Sequence, residues 1–509
     1  MAPLATSATA AATRVERPSI STTPLALPNL LLMSPGPSSP HPRVLAAAGS
    51  PLVGHMHPAL LSAMDDVREW LKYVFQTRNR FTLGVSGSGH AAMEAAVNAV
   101  VAPGDVALVA INGMWGERMA LLARRHGGDV RTIQAPLGEV FSLDDFARAL
   151  EANPGVASVF VVHGESSTGT LQPLEGLGDL CHKHGALLVV DAICTAGGVP
   201  VLMDEWDIDV CYSGSQKCLS SLVSPSPFTM NERAREKLKS KAHQIQTYYF
   251  DMNVAGAFWA VDGKPNVYHH TSIGSNIMAL REALALVVDE GLESVWHRHR
   301  SLADKLHAGI EELGLELFVK DPSLRLPTVT TIKVPEGVHW AQVTSYLMEK
   351  YNLEIAGGLG PTVGMVWRIG IMGNNARDAN IALVLRALKD ALHHVGFLPP
   401  PAHAAAPPPA HLVTVAPTEA NYPCSAAPYP GVAASQTSGD GAAAAESVRP
   451  SKPIAASATA DPGASAPTPA AAVSASVAVA AVVSAAKGVA SSVASSVAAS
   501  STAAPIAVK

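Results

Sequence analysis

The chain has 509 residues, which leaves room for about two to four domains, but its composition is uneven along its length. Charged residues make up only 15%, because a long tail rich in Ala, Pro and Ser dilutes them. The net charge of −6 gives no sign of a nucleic-acid partner. The five cysteines are an odd number without CxxC spacing, which favours a reducing compartment and predicts neither a disulfide framework nor a metal site.

Residues 1–28 are rich in Ala, Ser and Thr, with Arg14 and Arg17 and a single acid, Glu16. This composition is typical of an organellar transit peptide and equally of an ordinary disordered N-terminus. We expect a mitochondrial or peroxisomal location rather than a cytosolic one, and no secretion. The last residues are not an S-K-L address. The sequence has no long segment of Leu, Ile and Phe character, so it predicts no membrane span.

Folding is expected to begin near Leu30, before a rigid Pro/Gly turn over 34–38 whose backbone can lie close to a ligand. A loop and a helix follow over 54–76. Next come a strand over 81–85, a Gly/Ser turn over 86–90 and a helix over 91–101. A strand, glycine turn and helix in this order bind anions, because free N–H groups and the helix dipole face the turn.

The same turn also satisfies the loose dinucleotide pattern G-x-G-x-x-A, with Gly87, Gly89 and Ala92. That interpretation needs an acid after the next strand, 106–111, which instead runs into Asn-Gly-Met-Trp and Trp115. A GxxxxGK[ST] loop does not occur in the sequence, which disfavours an NTPase. The Trp115 indole, in a loop flanked by glycines, is suited either to stacking on a flat ring or to ordinary packing.

Strands and helices continue to alternate through the middle of the chain. A strand over 156–162 ends in the motif 163–169 (HGESSTG), a helix follows over 174–184, and a strand over 187–190 leads to Asp191. This alternation predicts an α/β fold with a mostly parallel sheet, helices on both faces and functional loops at the carboxyl ends of the strands.

After residue 272 the predicted order of helices and strands changes. A helical pattern over 272–313 precedes a set that predicts a smaller α+β domain: strands over 328–334 and 365–370, and helices over 340–351 and 378–395. From Pro399 the composition cannot bury enough apolar surface to offset chain entropy, so the tail should be disordered. The predicted divisions are the N-terminus (1–28), a large domain (29–285), a small domain (286–397) and the tail (398–509).

The position of Lys217 relative to Asp191 suggests a chemical role for this sheet edge. Lys217 follows an apolar run over 208–212 and lies 26 residues after Asp191, about one strand–loop–strand step. A lysine and a carboxylate at neighbouring strand ends suit a pyridoxal-phosphate enzyme. The lysine forms a Schiff base, and the carboxylate keeps the pyridine nitrogen protonated. A surface lysine after a strand is the plain alternative.

Together these segments resemble the class V (fold-type I) pyridoxal-phosphate aminotransferases. The likeness covers about residues 30–397. It is carried by separated motifs in the same order: 74–79 (VFQTRN), 86–90 (SGSGH), 163–169, 213–217 (SGSQK), 268–271 (YHHT), 318–331 (FVKDPSLRLPTVTT), 357–360 (GGLG) and Arg368.

The resemblance implies a role for each matching residue. Lys217 would bind the cofactor covalently and carry the proton, Asp191 would pair with the ring nitrogen, and Trp115 would stack on the ring. Arg368 and Ser166 would hold the substrate carboxylate, and Gly36 would close a small side-chain pocket. The remaining implied cofactor contacts are Ser88, Gly89, His90, Ser166, Gln216, Tyr268 and Thr271. The last two would reach the phosphate of a neighbouring subunit, which implies a homodimer.

The implied reaction is ping-pong amino transfer from alanine or serine to glyoxylate, giving glycine, as in photorespiration and other glyoxylate metabolism. The chain departs from the family after Lys217, where residues 219–227 replace the usual Pro-Pro-Gly turn. Other class V transaminases that use small amino acids, serine–pyruvate or phosphoserine types among them, remain open. Cysteine desulfurases need a mobile thiol in the smaller domain, and no cysteine lies between Cys218 and Cys424. A non-enzymatic cofactor-binding scaffold would need a broken catalytic set.

Overall fold

The computed structural model describes residues 18–241, 245 and 247–399. The predicted tail from residue 400 and residues 1–17 of the transit-like segment lie outside the described residues, so both predictions stay untested. The strands are β1 (Leu31–Leu32), β2 (Phe81–Val85), β3 (Val106–Ile111), β4 (Asp129–Gln134), β5 (Val156–Val162), β6 (Gly164–Glu165), β7 (Thr170–Leu171), β8 (Leu187–Asp191), β9 (Val210–Tyr212), β10 (Ser226–Met230), β11 (Val329–Lys333), β12 (Leu353–Glu354), β13 (Ala356–Gly357) and β14 (Val366–Gly370).

Helices lie between most of these strands. They are α1 (Pro42–Ala48), α2 (Pro58–Phe75), α3 (Gly89–Val100), α4 (Met114–Arg125), α5 (Leu143–Ala152), α6 (Leu177–Lys183), α7 (Glu232–Ser240), α8 (Met252–Phe258), α9 (Gly274–Glu290), α10 (Leu292–Glu312), α11 (Trp340–Tyr351) and α12 (Asp378–His394). In the part of the chain that the structure describes, no helix is both long and apolar enough to cross a bilayer.

The main sheet has the order β2-β10-β9-β8-β5-β3-β4, with seven strands drawn from the described residues. Its strand pairs are parallel except for β10, which runs antiparallel to both neighbours. Every residue of β8 is buried, as expected of a continuous apolar strand covered on both faces. The prediction of an α/β fold with a mostly parallel sheet is confirmed.

A second core forms around the antiparallel strands β11, β14 and β13. Helices α11 and α12 pack on it, while α10 contributes Val295 to the first core and Leu302 to the second. Met33, just after β1, is buried in this second core, and β1 pairs with β12. The N-terminal segment is therefore attached to the C-terminal elements.

Local structure differs from the sequence predictions at three points. The helical stretch 272–313 is two helices, because Gly291 adopts φ +81° between α9 and α10, a conformation that favours glycine. Trp115 lies in the first turn of α4 rather than in a loop. The atypical run after Lys217 leads directly into β10, whose pairing with β2 and β9 is long-range and therefore has no local signal.

Candidate active site

Lys217 and Asp191 lie at the same edge of the main sheet. Strands β8 and β9 are parallel neighbours with Asp191 beside Tyr212, so their carboxyl ends coincide. The chain beyond them is joined by two hydrogen bonds of 2.9 Å: Ala192 N donates to Tyr212 O, and Ser213 Oγ donates to Ala192 O. The next turn carries Lys217. The separation of 26 residues read from the sequence thus corresponds to one step between adjacent strands.

The Lys217 side chain lies against the turn at residues 34–36. Its Nζ donates a hydrogen bond to Pro35 O. A Cβ at Gly36 would lie 2.5 Å from Lys217 Nζ and 2.5 Å from Cδ, and Gly36 has φ +105°. The backbone conformation therefore favours glycine, and a side chain there would also displace the lysine. The contact places Gly36 beside Lys217, and its predicted part in a substrate side-chain pocket stays a prediction.

Asp191 presents an oxygen that lacks a protein partner. The residue is 2% exposed, and one carboxylate oxygen accepts from Ile193 N at 2.8 Å. Among the described residues, no group forms a hydrogen bond of normal geometry to Oδ2, although the buried Tyr212 hydroxyl, itself without a partner, is close enough to the carboxylate to lower its pKa. Burial raises the pKa of Asp191 to about 7, because the charged form is desolvated. A ligand that brings an N–H or a positive charge to Oδ2 would relieve this cost.

The Gly/Ser turn leads into α3 as predicted. Ser88 is the N-cap residue in extended conformation, and within the described residues its side chain makes no capping hydrogen bond. A Cβ at Gly89 would lie 2.7 Å from Ile193 Cδ1, so this turn packs on the segment that follows Asp191. The Gln216 Oε1 atom is buried and, like Asp191 Oδ2, finds no donor in the described part of the chain.

Trp115 is held by hydrogen bonds at two points. Its Nε1 donates to Ser166 Oγ at 2.8 Å, and its backbone N donates to Glu165 Oε2 at 3.0 Å. The ring of His90 packs edge-on against the indole, with centroids 5.4 Å apart. His90 Nε2 lies 2.9 Å from an Arg118 guanidinium nitrogen, and burial together with the Arg118 charge lowers the pKa of His90. The lowered pKa favours the neutral form of His90, whose ring packs against the indole.

Glu165 was not singled out from the sequence, although it lies within the motif 163–169. Its carboxylate is fully buried and accepts from Ser167 N at 2.9 Å, from Ser167 Oγ at 2.6 Å and from Trp115 N. Burial raises its pKa, while these hydrogen bonds oppose the rise. A carboxylate at the start of α4 also complements the helix dipole. Glu165 therefore ties the start of α4 at Trp115 to Ser167.

Arg368 reaches the site from β14 of the second sheet. It is 7% exposed, and its Nε donates to Gly357 O at 2.7 Å. A terminal nitrogen donates to Ser166 O at 3.1 Å. Burial lowers the pKa of the guanidinium from its ordinary value. The structure thus brings together Arg368, Ser166 and Trp115, which are far apart in the sequence.

Tyr268 and Thr271 lie on the surface. Tyr268 is 51% exposed, its hydroxyl lies 3.4 Å from Thr271 Oγ1, and its ring packs on His55. Between the two, His270 Nε2 lies 2.6 Å from Ser86 Oγ in the Gly/Ser turn. This segment is therefore fastened to the turn that begins α3. His270 was not predicted, although the His-His pair beside Tyr268 was visible in the sequence.

The residues present fit pyridoxal phosphate. A lysine amine, a buried carboxylate oxygen without a partner and a Gly/Ser turn at the start of a helix meet at one sheet edge. Across the described residues, no cluster of three or more His, Cys, Asp or Glu side chains is arranged to hold a metal ion. A mostly parallel sheet with a lysine and a carboxylate at its edge, faced by an arginine from a second sheet, defines the class as fold-type I pyridoxal-phosphate transferases.

Comparison with known proteins gives the family. Residues 43–374 match the model described as "Aminotransferase class-V", so this chain belongs to the class V aminotransferases and is a transaminase. It is 46% identical over 371 residues to an alanine–glyoxylate aminotransferase of Callithrix jacchus, covering 73% of this chain and 89% of the relative. It is 36% identical to the (S)-ureidoglycine–glyoxylate transaminase of Bacillus subtilis, covering 73% and 93%.

The solved structure of an alanine–glyoxylate aminotransferase from Nostoc sp. superimposes with a TM-score of 0.71 at 45% identity, covering 73% of this chain and 98% of that one. This family and its structural neighbours imply pyridoxal phosphate as the cofactor. The family and fold predicted from the sequence motifs are confirmed.

Proposed function

We propose that this transaminase transfers the amino group of alanine or serine to glyoxylate, forming glycine and pyruvate or hydroxypyruvate. The proposal rests on the position of segment 33–36, which contacts both Lys217 and β14, the strand that carries Arg368. Pro35 O accepts from Lys217 Nζ, while Gly370 N, at the end of β14, donates to Met33 O at 2.7 Å. The likeness to alanine–glyoxylate aminotransferases at 46% and 45% identity supports these substrates.

The cofactor would lie between Asp191 and the Lys217 amine. When bound, pyridoxal phosphate supplies an aldehyde that condenses with amines and a protonated ring that accepts electrons from the carbon being deprotonated. Asp191 Oδ2 would accept a hydrogen bond from the ring N–H and so gain a partner. Trp115 would stack on the ring. The other residues proposed to contact the cofactor are Ser88, Gly89, His90, Ser166 and Gln216.

Two side chains act directly on the substrate. The Arg368 guanidinium binds the α-carboxylate, and its contacts to Gly357 O and Ser166 O orient it beforehand. Lys217 Nζ would take the proton from the substrate Cα and deliver a proton to the cofactor carbon that keeps the amino group, before water releases the keto acid. Gly36 leaves room for the lysine to approach, and the turn that contains it would border the side chain of a small substrate.

A homodimer with shared sites belongs to the same proposal. Tyr268 and Thr271 are exposed, and His270 fastens them to the turn at Ser86. Their hydroxyls are thus available to the phosphate group bound by a second copy of the chain. A mitochondrial or peroxisomal location remains a prediction from composition.

The proposal is tested by assaying the purified protein with alanine, serine and glycine as donors against glyoxylate and pyruvate. Alanine or serine with glyoxylate should give the highest kcat/KM, and double-reciprocal plots should be parallel because a ping-pong reaction releases the first product before the second substrate binds. Intersecting lines, or a preference for a large or phosphorylated donor, would contradict it. Lys389→Ala, at an exposed lysine of α12, should retain full activity and controls for the handling of variants.

A further inference from the structure

The carbonyl of Lys217 is held by two donors from different parts of the chain. Ser220 N donates to Lys217 O at 2.9 Å, and Ser38 Oγ donates to the same oxygen at 2.7 Å. Both acceptor positions of the carbonyl are therefore used. Ser38 is 2% exposed, so this hydroxyl contact is shielded from water.

A hydrogen-bond chain extends from Ser38 into the second core. Ser38 Oγ lies 3.0 Å from Ser220 Oγ, and Asn374 N donates to Ser220 Oγ at 2.8 Å. Ser38 Oγ lies 2.7 Å from Lys217 O and 3.2 Å from Gln216 O, and a hydroxyl carries one proton. With that proton given to a carbonyl, Ser220 is the donor to Ser38. The order is Asn374 N–H to Ser220, Ser220 to Ser38, and Ser38 to Lys217 O.

The turn Gly373–Asn375, where this series of hydrogen bonds begins, is itself held by further contacts. Gly373 N donates to His299 Nε2 at 2.9 Å, and an Arg298 guanidinium nitrogen donates to Gly373 O at 2.9 Å. Gly373 has φ +53°, and a Cβ there would collide with Ser220 Oγ and Cys218 O. The turn from the second core is thus packed directly on the backbone of the lysine loop.

Ser220 adopts a backbone conformation that serine seldom takes. Its φ is +51°, in the left-handed region. Such a conformation persists where the surroundings determine it, and here the surroundings are the hydrogen bonds to Lys217 O, Ser38 and Asn374. Ser220 lies in the run 219–227 where this chain departs from the family pattern.

We propose that Ser220 and Ser38 are positioning residues that set the distance between the Lys217 amine and the Arg368 guanidinium. Arg368 lies on β14, and the turn at Gly373–Asn375 follows that strand directly. The base and the carboxylate anchor come from different cores, and proton transfer at Cα requires both to be placed within a fraction of an ångström. The inference rests on the proposed function, because it assigns these two residues to that reaction.

The test compares Ser220→Ala and Ser38→Ala with Ser221→Ala. Ser221 is a matched control, since it is the next residue, is 2% exposed and has a hydroxyl for which the described residues supply no partner. Ser220→Ala and Ser38→Ala should each lower kcat about tenfold with KM changed less than about twofold. They should also shift the pH midpoint of the visible absorbance of the bound cofactor, whereas Ser221→Ala should match the wild type.

The double variant decides whether the two serines act as one unit. Because both lie in one chain of hydrogen bonds, Ser38→Ala combined with Ser220→Ala should lose little more kcat than either single variant. Additive losses, or the same spectrum and kcat in Ser220→Ala as in Ser221→Ala, would overturn the inference. If Ser220→Ala does not fold, the inference is tested with Ser38→Ala alone, from its absorbance spectrum and from whether kcat falls while KM stays the same.

The spectral midpoint does not depend on which amino acid is the donor. A wild-type protein that binds the cofactor without acting on alanine or serine would contradict the proposed function, while the spectral comparison would still decide the role of the serines.

Discussion

The main-sheet edge at Asp191 and the second sheet at Arg368 differ in how fully the protein hydrogen-bonds a buried charged side chain. Asp191 keeps one buried oxygen for which the described residues offer no donor, whereas Arg368 donates to two backbone carbonyls. Leaving a buried acceptor unsatisfied costs about 1–3 kcal/mol, and such costs are concentrated at functional sites. Under the proposed function, the carboxylate keeps binding capacity for a ligand, while the guanidinium is oriented before a substrate arrives.

The largest expected effect comes from the residue between these two regions. Lys217→Ala should lower kcat by at least about 10³-fold, because both the covalent attachment and the proton carrier are lost. Asp191 and Arg368 are untouched, so the variant should still bind pyridoxal phosphate, without the Schiff-base absorbance. Turnover and absorbance spectra check this, and near wild-type turnover would refute the assigned role.

Asp191→Asn tests what the negative charge of the carboxylate contributes to catalysis and what its burial costs in stability. Without a charge to stabilise the ring nitrogen, kcat should fall by about 10²–10³-fold, within the range for loss of a group that stabilises charge in the transition state. The cofactor-free variant should nevertheless be more stable than the wild type at pH 8, because it removes a buried carboxylate whose charged form is desolvated.

The same carboxylate predicts a pH dependence. Burial raises the pKa of Asp191 to about 7 in the folded chain, so between pH 4 and pH 7 the folded state binds this proton more tightly than the unfolded state does. The free energy of unfolding of the cofactor-free protein should fall over this range by up to about 4 kcal/mol. Urea unfolding of wild type and Asp191→Asn at pH 5 and pH 8 measures the difference, which should be smaller in the variant.

Arg368→Lys tests whether the fixed orientation of the guanidinium matters for substrate binding. The charge remains, but the planar fork and its contacts to Gly357 O and Ser166 O are lost. We expect kcat/KM for the amino acid to fall about 100-fold, mainly through KM, while cofactor binding changes little. Arg386→Lys, at an exposed arginine of α12, should have no effect. A large change in cofactor affinity would instead place Arg368 among the cofactor contacts.

The smallest effect is expected at Trp115, which contacts both regions through Ser166. Trp115→Phe keeps an aromatic ring but removes the 2.8 Å hydrogen bond from Nε1 to Ser166 Oγ. Cofactor affinity should fall about fivefold, corresponding to about 1 kcal/mol for one hydrogen bond. Trp296→Phe is the matched control, since the structure gives Trp296 Nε1 no partner among the described residues. Equal affinities in the two variants would remove Trp115 from the site.

Local sequence was sufficient to predict the sheet edge with Asp191 and Lys217. Apolar runs mark buried strands, and residues that follow adjacent parallel strands meet at one edge. The Gly/Ser turn before α3 was predicted on the same basis. Gly36 and Arg368 were identified only through resemblance to a family, because nothing in their own neighbourhoods points to Lys217.

The tertiary structure alone placed Arg368 beside Ser166 and the turn at Pro35 beside the lysine amine. It also revealed Glu165 beneath Trp115, the link from His270 to Ser86, and the hydrogen-bond chain through Ser38 and Ser220. These contacts join segments that are distant in sequence, so each depends on tertiary packing rather than on the periodicity of one strand or helix.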